Sequence, residues 1–438
     1  MTRKFRRIVF YLLTLAFIVF GTGTVLYAQG WRLDFTSFLF NKIGAIYVRS
    51  FPAEANIFLD GKPVKSSTGF FQAGTLINDL FPKKYKLSLT FPNFKDWERT
   101  ITVKPSFVAE AKYAVLVPVK STLVTAGPLK DFWLLGQEPL VQNATSGLSW
   151  QNDPIPGNQV IGWTDDFKSL LTFDNKQGIY YLNDLQDATS TNINTIIRKN
   201  GLKLPSKAGF FVDKFSSSQI IVQDPASIGI LDLQKGTFAT VGTSTTSTTI
   251  SAPDASQFWM VWASYDKKKD VSTLMLYSKF LGTTRSAGTV PGLTAKLEWT
   301  ANNLLGVRQA NGEFYIYSLI NDSTSHVASD VKDFKFTDDG SMVAALENRS
   351  MEVFSLNTSD YWRFNLPDTA GIKNITWYKD GEHIFVFYGD RTSFLDLGDT
   401  LLENFTTISS GQDEAYDPQN NQFYSEDGGR LLRFDFPS

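Results

Sequence analysis

The sequence VKDFKFTDDGSMVAALENRSMEVFSLN, from Val331 to Asn357, decides the fold because most of the chain beyond it repeats the same pattern. Phe334 and Phe336 alternate with polar residues before the tight-turn sequence Asp338-Asp339-Gly340. An apolar run and a second alternating segment, Met351 to Ser355, follow. Alternation with a period of two predicts a series of short β-strands joined by turns.

The same template recurs on both sides of this segment. Further copies lie at Trp163 to Leu185, Phe211 to Leu233, Ser251 to Ser278, Trp299 to Leu319, Ile372 to Leu397 and Tyr416 to Phe436. The copies are separated by roughly 36 to 48 residues, which is the period of four-stranded propeller blades. One such sheet cannot bury both of its faces, so the copies must stack around an axis. The pattern predicts a β-propeller over residues 119–438 with seven blades, six or eight being the alternatives. A strand near Ser121 to Ala126 is expected to complete the last blade.

Residues 127 to 160 fit no copy of the template and contain several prolines. We interpret them as a long excursion across one end of the propeller, where insertions often carry function. Trp133 and Trp150 in this segment are the residues that we expect to form an exposed ligand platform, whereas Trp163, Trp299 and Trp377 share a repeat position typical of a core.

The N-terminal residues predict a membrane anchor. Residues 1–7 carry four positive charges and form a basic tail, and residues 8–28 contain no charged side chain. A helix of those residues would be about 31 Å long, which matches a hydrocarbon core of about 30 Å. Because basic residues stay on the cytoplasmic side, the bulk of the chain should be extracytoplasmic. The alternative is a signal peptide cleaved after Ala28. Residues 29–42 form a juxtamembrane linker whose aromatic side chains, Phe35 and Phe38 among them, suit the headgroup level.

Residues 43–118 predict a small β-sandwich. Tyr85 to Phe91 alternates apolar and polar residues, and Asp60-Gly61 is a hairpin turn sequence. The segment resembles the PEGA domain in Pro52 and Ala55, in Leu59-Asp60-Gly61, and in Thr75, Leu80, Pro82, Tyr85 and Trp97. It departs from that family at Glu54, Leu76 and Lys83. The resemblance implies a β-sandwich of the kind found in surface and envelope proteins, and it brings no catalytic residues.

The repeats resemble the broad group of TolB-like and WD40-like propellers. The turns at Asp338-Asp339-Gly340 and Asp380-Gly381 are similar to that group's Ser-Pro-Asp-Gly turn, and Ala252-Pro253-Asp254 keeps its Pro-Asp. The blades lack the Gly-His and Trp-Asp pairs of true WD40 repeats.

Composition and motifs give little indication of catalysis. The formal net charge of −2 does not favour binding to nucleic acid. The absence of cysteine excludes thiolate chemistry and disulfides. His326 and His383 are the only histidines, so a histidine-rich metal site is excluded. Asp165-Asp166 and Asp338-Asp339 fall at repeated turns, where Asp is favoured for backbone geometry. We therefore expect no catalytic, metal or cofactor site.

Two functions remain open. The preferred one is a non-catalytic, membrane-anchored envelope protein that presents a PEGA domain and a propeller to a protein or glycan partner. The alternative is an extracellular propeller-type polysaccharide hydrolase or lyase, for which converging buried carboxylates with raised pKa would be evidence.

Overall fold

The computed structural model describes residues 3–34, 39–65, 74–144, 147–205, 207–300, 302–358, 360–366, 371–398, 405–411 and 413–437. Phe35 and Phe38 of the expected linker lie outside this set. By its internal contacts the chain divides into one unit that is mainly Met1–Ser121 and a second that is Thr122–Thr400 with Thr407–Phe434. Each unit is described by itself.

The first unit begins with helix α1, Arg3–Ala28, none of whose side chains is buried. Among the described residues it is the one helix long and apolar enough to cross a membrane, a property that a signal sequence shares. Two of its hydroxyl groups bond to the helix backbone, because Thr14 Oγ1 donates to Phe10 O at 2.9 Å and Thr24 Oγ1 donates to Phe20 O at 2.8 Å. The four basic residues lie at the start of the helix, and from Ile8 to Ala28 it carries no charged side chain.

A hairpin and two small sheets follow the helix. The hairpin is β1 Trp31–Asp34 with β2 Leu39–Lys42. The remaining strands of this unit are β3 Gly44–Phe51, β4 Asn56–Leu59, β5 Lys62–Val64, β6 Thr75–Leu80, β7 Lys84–Thr90, β8 Trp97–Thr102 and β9 Val108–Val115. They form one sheet in the order β6-β3-β9 and another in the order β5-β4-β7-β8. The parallel pairing of β3 with β9 is a feature that alternation alone could not predict.

The two sheets share one hydrophobic core, to which β3 gives Ile46 and Val48 and β7 gives Leu87 and Leu89. The alternation in β7 is confirmed, since Tyr85, Leu87 and Leu89 are buried. The Asp60-Gly61 turn joins β4 to β5 with positive φ at both residues, as a two-residue hairpin requires.

The described residues of the second unit form eight four-stranded sheets, which we call blades 1 to 8. Blades 1 to 4 are β11 Leu129–Leu135, β12 Glu138–Asn143, β13 Gly147–Trp150 and β14 Asp153–Ile155; β15 Gln159–Trp163, β16 Ser169–Asp174, β17 Ile179–Asp184 and β18 Thr189–Asn192; β19 Gly209–Val212, β20 Gln219–Gln223, β21 Ser227–Asp232 and β22 Thr237–Thr243; and β23 Thr248–Ala255, β24 Trp259–Asp266, β25 Val271–Ser278 and β26 Thr283–Pro291.

Blades 5 to 8 continue the same order. They are β27 Thr294–Trp299, β28 Leu304–Gln309, β29 Phe314–Ser318 and β30 Ser323–Ala328; β31 Asp333–Phe336, β32 Met342–Leu346, β33 Ser350–Ser355 and β34 Tyr361–Asn365; β35 Ile372–Trp377, β36 His383–Tyr388, β37 Thr392–Asp396 and β38 Phe405–Ser409; and β39 Glu414–Asp417, β40 Gln422–Asp427 and β41 Arg430–Asp435 with β10 Thr122–Ala126. Helix α2, Ile193–Lys199, lies between blades 2 and 3 and is capped by Asn192, whose side chain accepts from the backbone N of Thr195.

The core of this unit lies between neighbouring blades. Separate hydrophobic clusters join blades 1 and 2, 2 and 3, 3 and 4, 4 and 5, and 5 and 6. Trp377 Nε1 of blade 7 donates to Lys335 O of blade 6 at 2.9 Å, and the rings of Phe385 and Phe423 stack between blades 7 and 8. A further cluster joins blade 8 to blade 1. The contacts therefore form a closed cycle, which is a propeller-like arrangement.

Two expectations about this unit have different outcomes. The strand at Thr122–Ala126 pairs with the last strand, Arg430–Asp435, as expected for closure through the two ends of the unit. The expected count of seven blades is not confirmed, because residues 129–155 form blade 1 rather than an excursion. The template missed this blade because its first turn is Gly136-Gln137 rather than an Asp or Asn turn, and because Pro139 and Pro154 lie within its strands.

Candidate functional site

The predicted ligand platform lies on a strand ladder of blade 1. Trp133 of β11 and Trp150 of β13 are both paired with Leu140 of β12, so the three side chains share one face of the sheet. Both indoles are half-buried and pack against the cluster that contains Leu135 and Leu148. Their part in ligand binding stays a prediction. The repeated tryptophans also pack inward: Trp377 is buried, and Trp163 and Trp299 are half-buried against clusters between blades.

A charged cluster lies where the first strands of the middle blades end. Lys214, directly after β19, places its Nζ 3.0 Å from Asp254 Oδ1 of β23. The other carboxylate oxygen of Asp254 accepts from the backbone N of Trp299 at 3.0 Å. Asp254 is buried, and it therefore connects three neighbouring blades through one ion pair and one hydrogen bond.

Asp165, after β15, extends this cluster to blade 2. Its backbone N donates to Lys214 O at 2.8 Å. Burial is the main cause that raises the pKa of Asp165, the charges of Asp254, Asp166 and Asp213 raise it further, and Lys214 opposes them. For Lys214 burial alone would lower the pKa, but the pair with Asp254 outweighs burial and raises it. The cluster thus combines a firmly charged lysine with a carboxyl group that binds a proton more readily than usual.

A second lysine, Lys296, extends the charged cluster to blade 6. Lys296 Nζ lies 2.9 Å from Glu298 Oε2 and 2.6 Å from Asp333 Oδ1, and it donates to Phe334 O at 3.2 Å. Each lysine of the cluster is therefore neutralised by carboxylates. Such pairing holds the first strands of neighbouring blades together.

An open cavity of about 380 Å³ adjoins the cluster. Its wall combines the aromatic side chains of Trp163 and Phe211 with the charged groups of Asp165, Lys214 and Asp254. Apolar walls with a few converging polar groups are typical of ligand sites. The cavity could accept a group that has an apolar face and hydrogen-bonding substituents.

Exposed apolar side chains lie on the turns of blades 3 and 4, next to this cluster. They are Phe215, Phe258, Phe280 and Leu281, which we call the turn-tip patch; Phe280 is 89% exposed. Lys279 connects them, because its backbone N donates to Phe258 O at 3.0 Å and its Nζ lies 5.9 Å from the ring centroid of Phe215. Lys279 Nζ also forms an ion pair with Asp213 Oδ1 at 2.7 Å. Clustered apolar groups at rigid turns are typical of interaction surfaces.

The acidic turns noted in the sequence have structural roles. Asp166 Oδ1 accepts from Thr164 Oγ1, and Asp339 Oδ1 accepts from Thr337 Oγ1, both at 2.7 Å, and these hydrogen bonds lower the pKa of each carboxyl group. The described residues contain no group of three or more His, Asp or Glu side chains arranged to hold a metal ion.

His383 is buried within blade 7. Its Nδ1 lies 2.8 Å from Asp380 Oδ2, and its ring stacks on Phe394 with centroids 4.7 Å apart. Burial alone would lower the pKa of His383, but the contact with Asp380 and the charge of Asp396 outweigh burial and raise it. This geometry is that of a buried ion pair in the core.

The sequence analysis did not identify the ion pair between Lys214 and Asp254, and it did not identify the turn-tip patch. Ala252-Pro253-Asp254 was expected to be a turn, but it lies within β23, with a bulge between Ser251 and Asp254. The one available signal was the pair of adjacent large apolar residues, Phe280-Leu281, directly beyond the repeat copy that ends at Ser278.

Comparison with known proteins identifies one domain of the chain. Residues 43–115 match the PEGA domain family, in agreement with the resemblance seen in the sequence. This match covers the β-sandwich of the first unit. No curated protein matches the chain.

Among solved structures, the chain is similar to an oligogalacturonate lyase from Vibrio parahaemolyticus, with 10% identity and a TM-score of 0.45, over 71% of this chain and 98% of that one. It is also similar to an oligogalacturonate lyase in complex with manganese, with 11% identity and a TM-score of 0.46, over 73% of this chain and 98% of the other. At these values the likeness says nothing about what this chain does.

Proposed function

We propose that this chain is a non-catalytic, membrane-anchored envelope protein that binds a protein or glycan partner through its propeller-like unit. In this proposal residues 8–28 cross the bilayer, the basic tail of residues 1–7 is cytoplasmic, and the PEGA domain and the blades are extracytoplasmic. The uncharged stretch of α1 from Ile8 to Ala28 and the bonding of Thr14 and Thr24 to the helix backbone support the anchor. The four positive charges before it support the orientation.

The turn-tip patch is the observation that carries the binding function. Phe258, Phe280 and Leu281 are at least 61% exposed, although the strands that hold them are well packed. Exposing these side chains to water is unfavourable, and covering them would contribute roughly 1.5 to 3 kcal/mol for each side chain fully buried. The patch therefore favours a protein partner with an apolar surface, and the adjacent cavity could accept one of the partner's side chains or a sugar ring.

Site-specific crosslinking in membranes tests this proposal. Because the chain contains no cysteine, Phe280→Cys provides a single attachment point for a photoreactive benzophenone. We expect one defined covalent adduct from this position, and we expect Leu281→Asp in the same chain to reduce its yield. Tyr361→Cys, on the edge strand β34 and 65% exposed, is the matched control and should give no such adduct. The same covalent adducts from Phe280→Cys and from Tyr361→Cys would contradict the proposal.

One observation favours the alternative of a polysaccharide hydrolase or lyase. The raised pKa of Asp165 and its nearness to Asp254 are features of carboxylates in acid–base catalysis. The engagement of Asp254 by Lys214 and by the backbone of Trp299 argues for a structural role instead. Incubation of the full chain with neutral and acidic polysaccharides decides between them. Chain cleavage that is lost in Asp165→Asn would establish the enzyme, and the absence of cleavage in both proteins is the expected result.

A further inference from the structure

We propose that the PEGA domain rests on the lipid headgroups through Phe107 and Val108, so that the bilayer contacts this domain as well as helix α1. This inference rests on the proposed membrane anchor and adds a second contact to it. The occupant of the exposed surface at these residues is the acyl–headgroup boundary of the same bilayer.

The residue before β9 and the first residue of β9 present two apolar side chains. Phe107 is 67% exposed and Val108 is 51% exposed. Ser106 N donates to Ile43 O at 2.9 Å, and Ala45 N donates to Phe107 O at 3.0 Å. These bonds hold the backbone of residues 106–107 against the start of β3, where both apolar side chains are exposed.

This segment lies next to the end of the apolar helix. Residues 28–30, which follow the last turn of α1, and residues 106–108 line the same open depression of about 500 Å³. Ile43 N also donates to Gly30 O at 2.9 Å, which joins the helix end to the start of β3. Each headgroup layer of a bilayer is about 5 to 8 Å thick. With the end of α1 at the bilayer surface, Phe107 therefore lies at headgroup level.

The cations around the helix end suit the same layer. The Arg32 guanidinium lies 3.6 Å from the ring centroid of Tyr27, donates to Tyr27 O at 2.8 Å and is paired with Asp79 Oδ1 at 3.1 Å. Lys42 Nζ lies 5.5 Å from the ring of Trp31. Aromatic rings beside basic groups are enriched at membrane interfaces, where the rings contact acyl chains and the cations reach phosphates. The exposed apolar side chains and the pair of Lys42 with Trp31 thus agree with a bilayer as the occupant.

Single-cysteine spin labels on the full chain in vesicles of phosphatidylcholine and phosphatidylglycerol test the inference. The labelled variants are Phe107→Cys, Glu54→Cys and Phe17→Cys. Glu54 is the matched control, because it is exposed and follows β3, whose eight residues extend about 26 Å from the helix end. Phe17 lies within α1 and reports whether the helix is in the bilayer.

Accessibility to oxygen, which dissolves in hydrocarbon, is compared with accessibility to a water-soluble nickel complex. We expect the oxygen-to-nickel ratio to be several-fold higher at position 107 than at position 54, and highest at position 17. A ratio at 107 equal to that at 54, with position 17 in hydrocarbon, would overturn this inference and leave the anchor intact. Protection of position 107 from both reagents would indicate a protein occupant and would also overturn it. A label at position 17 that reports water would remove the anchor and this contact together.

Discussion

Glu414 gives the stability of the blades a defined pH dependence. It is the first residue of β39, and its Oε1 accepts from Ser409 Oγ at 3.1 Å. Burial, as the main cause, raises the pKa of Glu414 from 4.5 to about 7; the hydroxyl groups of Thr392 and Ser409 oppose burial, and the charge of Asp413 adds to it. The folded protein therefore holds a proton on this carboxyl group at pH values where the unfolded chain has released it.

The sign of the effect follows from this difference in proton binding. The stabilising contribution of Glu414 is complete below pH 4.5, falls as the pH rises, and is lost above about pH 7. One pKa unit corresponds to about 1.4 kcal/mol, so the contribution is about 3 kcal/mol at most and about 2 kcal/mol if water reaches part of the carboxyl group. Glu414→Gln keeps the shape of the side chain and removes the charge. The variant should equal the parent near pH 4.5 and exceed it at pH 8.

Thermal unfolding of the full chain in detergent measures this difference. For a unit of this size, 2 kcal/mol corresponds to a midpoint shift of roughly 4 °C. We expect Glu414→Gln to unfold about 4 °C above the parent at pH 8 and at the same temperature near pH 4.5. Glu138→Gln, which changes an exposed carboxylate on β12, is the control and should show no such dependence. An equal difference between Glu414→Gln and the parent at both pH values would refute the reasoning.

Three further substitutions test the packing between blades, each by chemical denaturation of the full chain. Trp377→Phe removes an indole donor that bonds to a backbone carbonyl of the preceding blade. This change should cost about 1 to 2 kcal/mol more than Trp299→Phe, whose buried indole nitrogen has no hydrogen-bond partner among the described residues. An equal loss in the two variants would mean that the hydrogen bond contributes nothing. Gly306→Ala places a methyl group against two phenylalanine rings of the next blade and should destabilise the protein by about 1 to 3 kcal/mol, whereas Gly389→Ala, with only a flexible lysine side chain within reach, should be nearly neutral. Asp254→Ala should cost about 3 kcal/mol, because it leaves a lysine and a backbone N–H without their buried partner, and a loss below 1 kcal/mol would contradict that role.

Local sequence patterns predicted those parts of the fold that depend on nearest neighbours in the chain. The alternation at Tyr85 to Phe91 and the Asp60-Gly61 turn needed no information beyond their own residues, and both are present. The pairing of the strand at Thr122–Ala126 with the last strand followed from the missing fourth strand of the final repeat. A closed ring of blades leaves few other solutions for such a gap.

Blade 1 escaped prediction because its register depends on its neighbours rather than on its own turns. Its prolines are tolerated at pairing positions opposite Leu134 and Ser149, and the side chains around Leu140 are buried by blade 2. Trp133 and Trp150 therefore looked like exposed groups in a loop, although both lie in strands. Proline weakens a strand signal in sequence, but the packing of a neighbouring sheet can compensate for the lost hydrogen bond.

The charged cluster could not be predicted because its members are distant in sequence. Each of them, taken alone, fits an ordinary turn or surface position. Asp254 looked like a turn residue, and Lys214 follows an aspartate in an ordinary polar segment. Only the ring brings the ends of consecutive first strands together, so that a lysine from one blade meets a carboxylate from the next. Because these pairs cross the seams between blades, they stabilise the ring and also set the charge beside the cavity. Protonation of Asp165 would then change the cavity without breaking a seam, since Lys214 remains paired with Asp254.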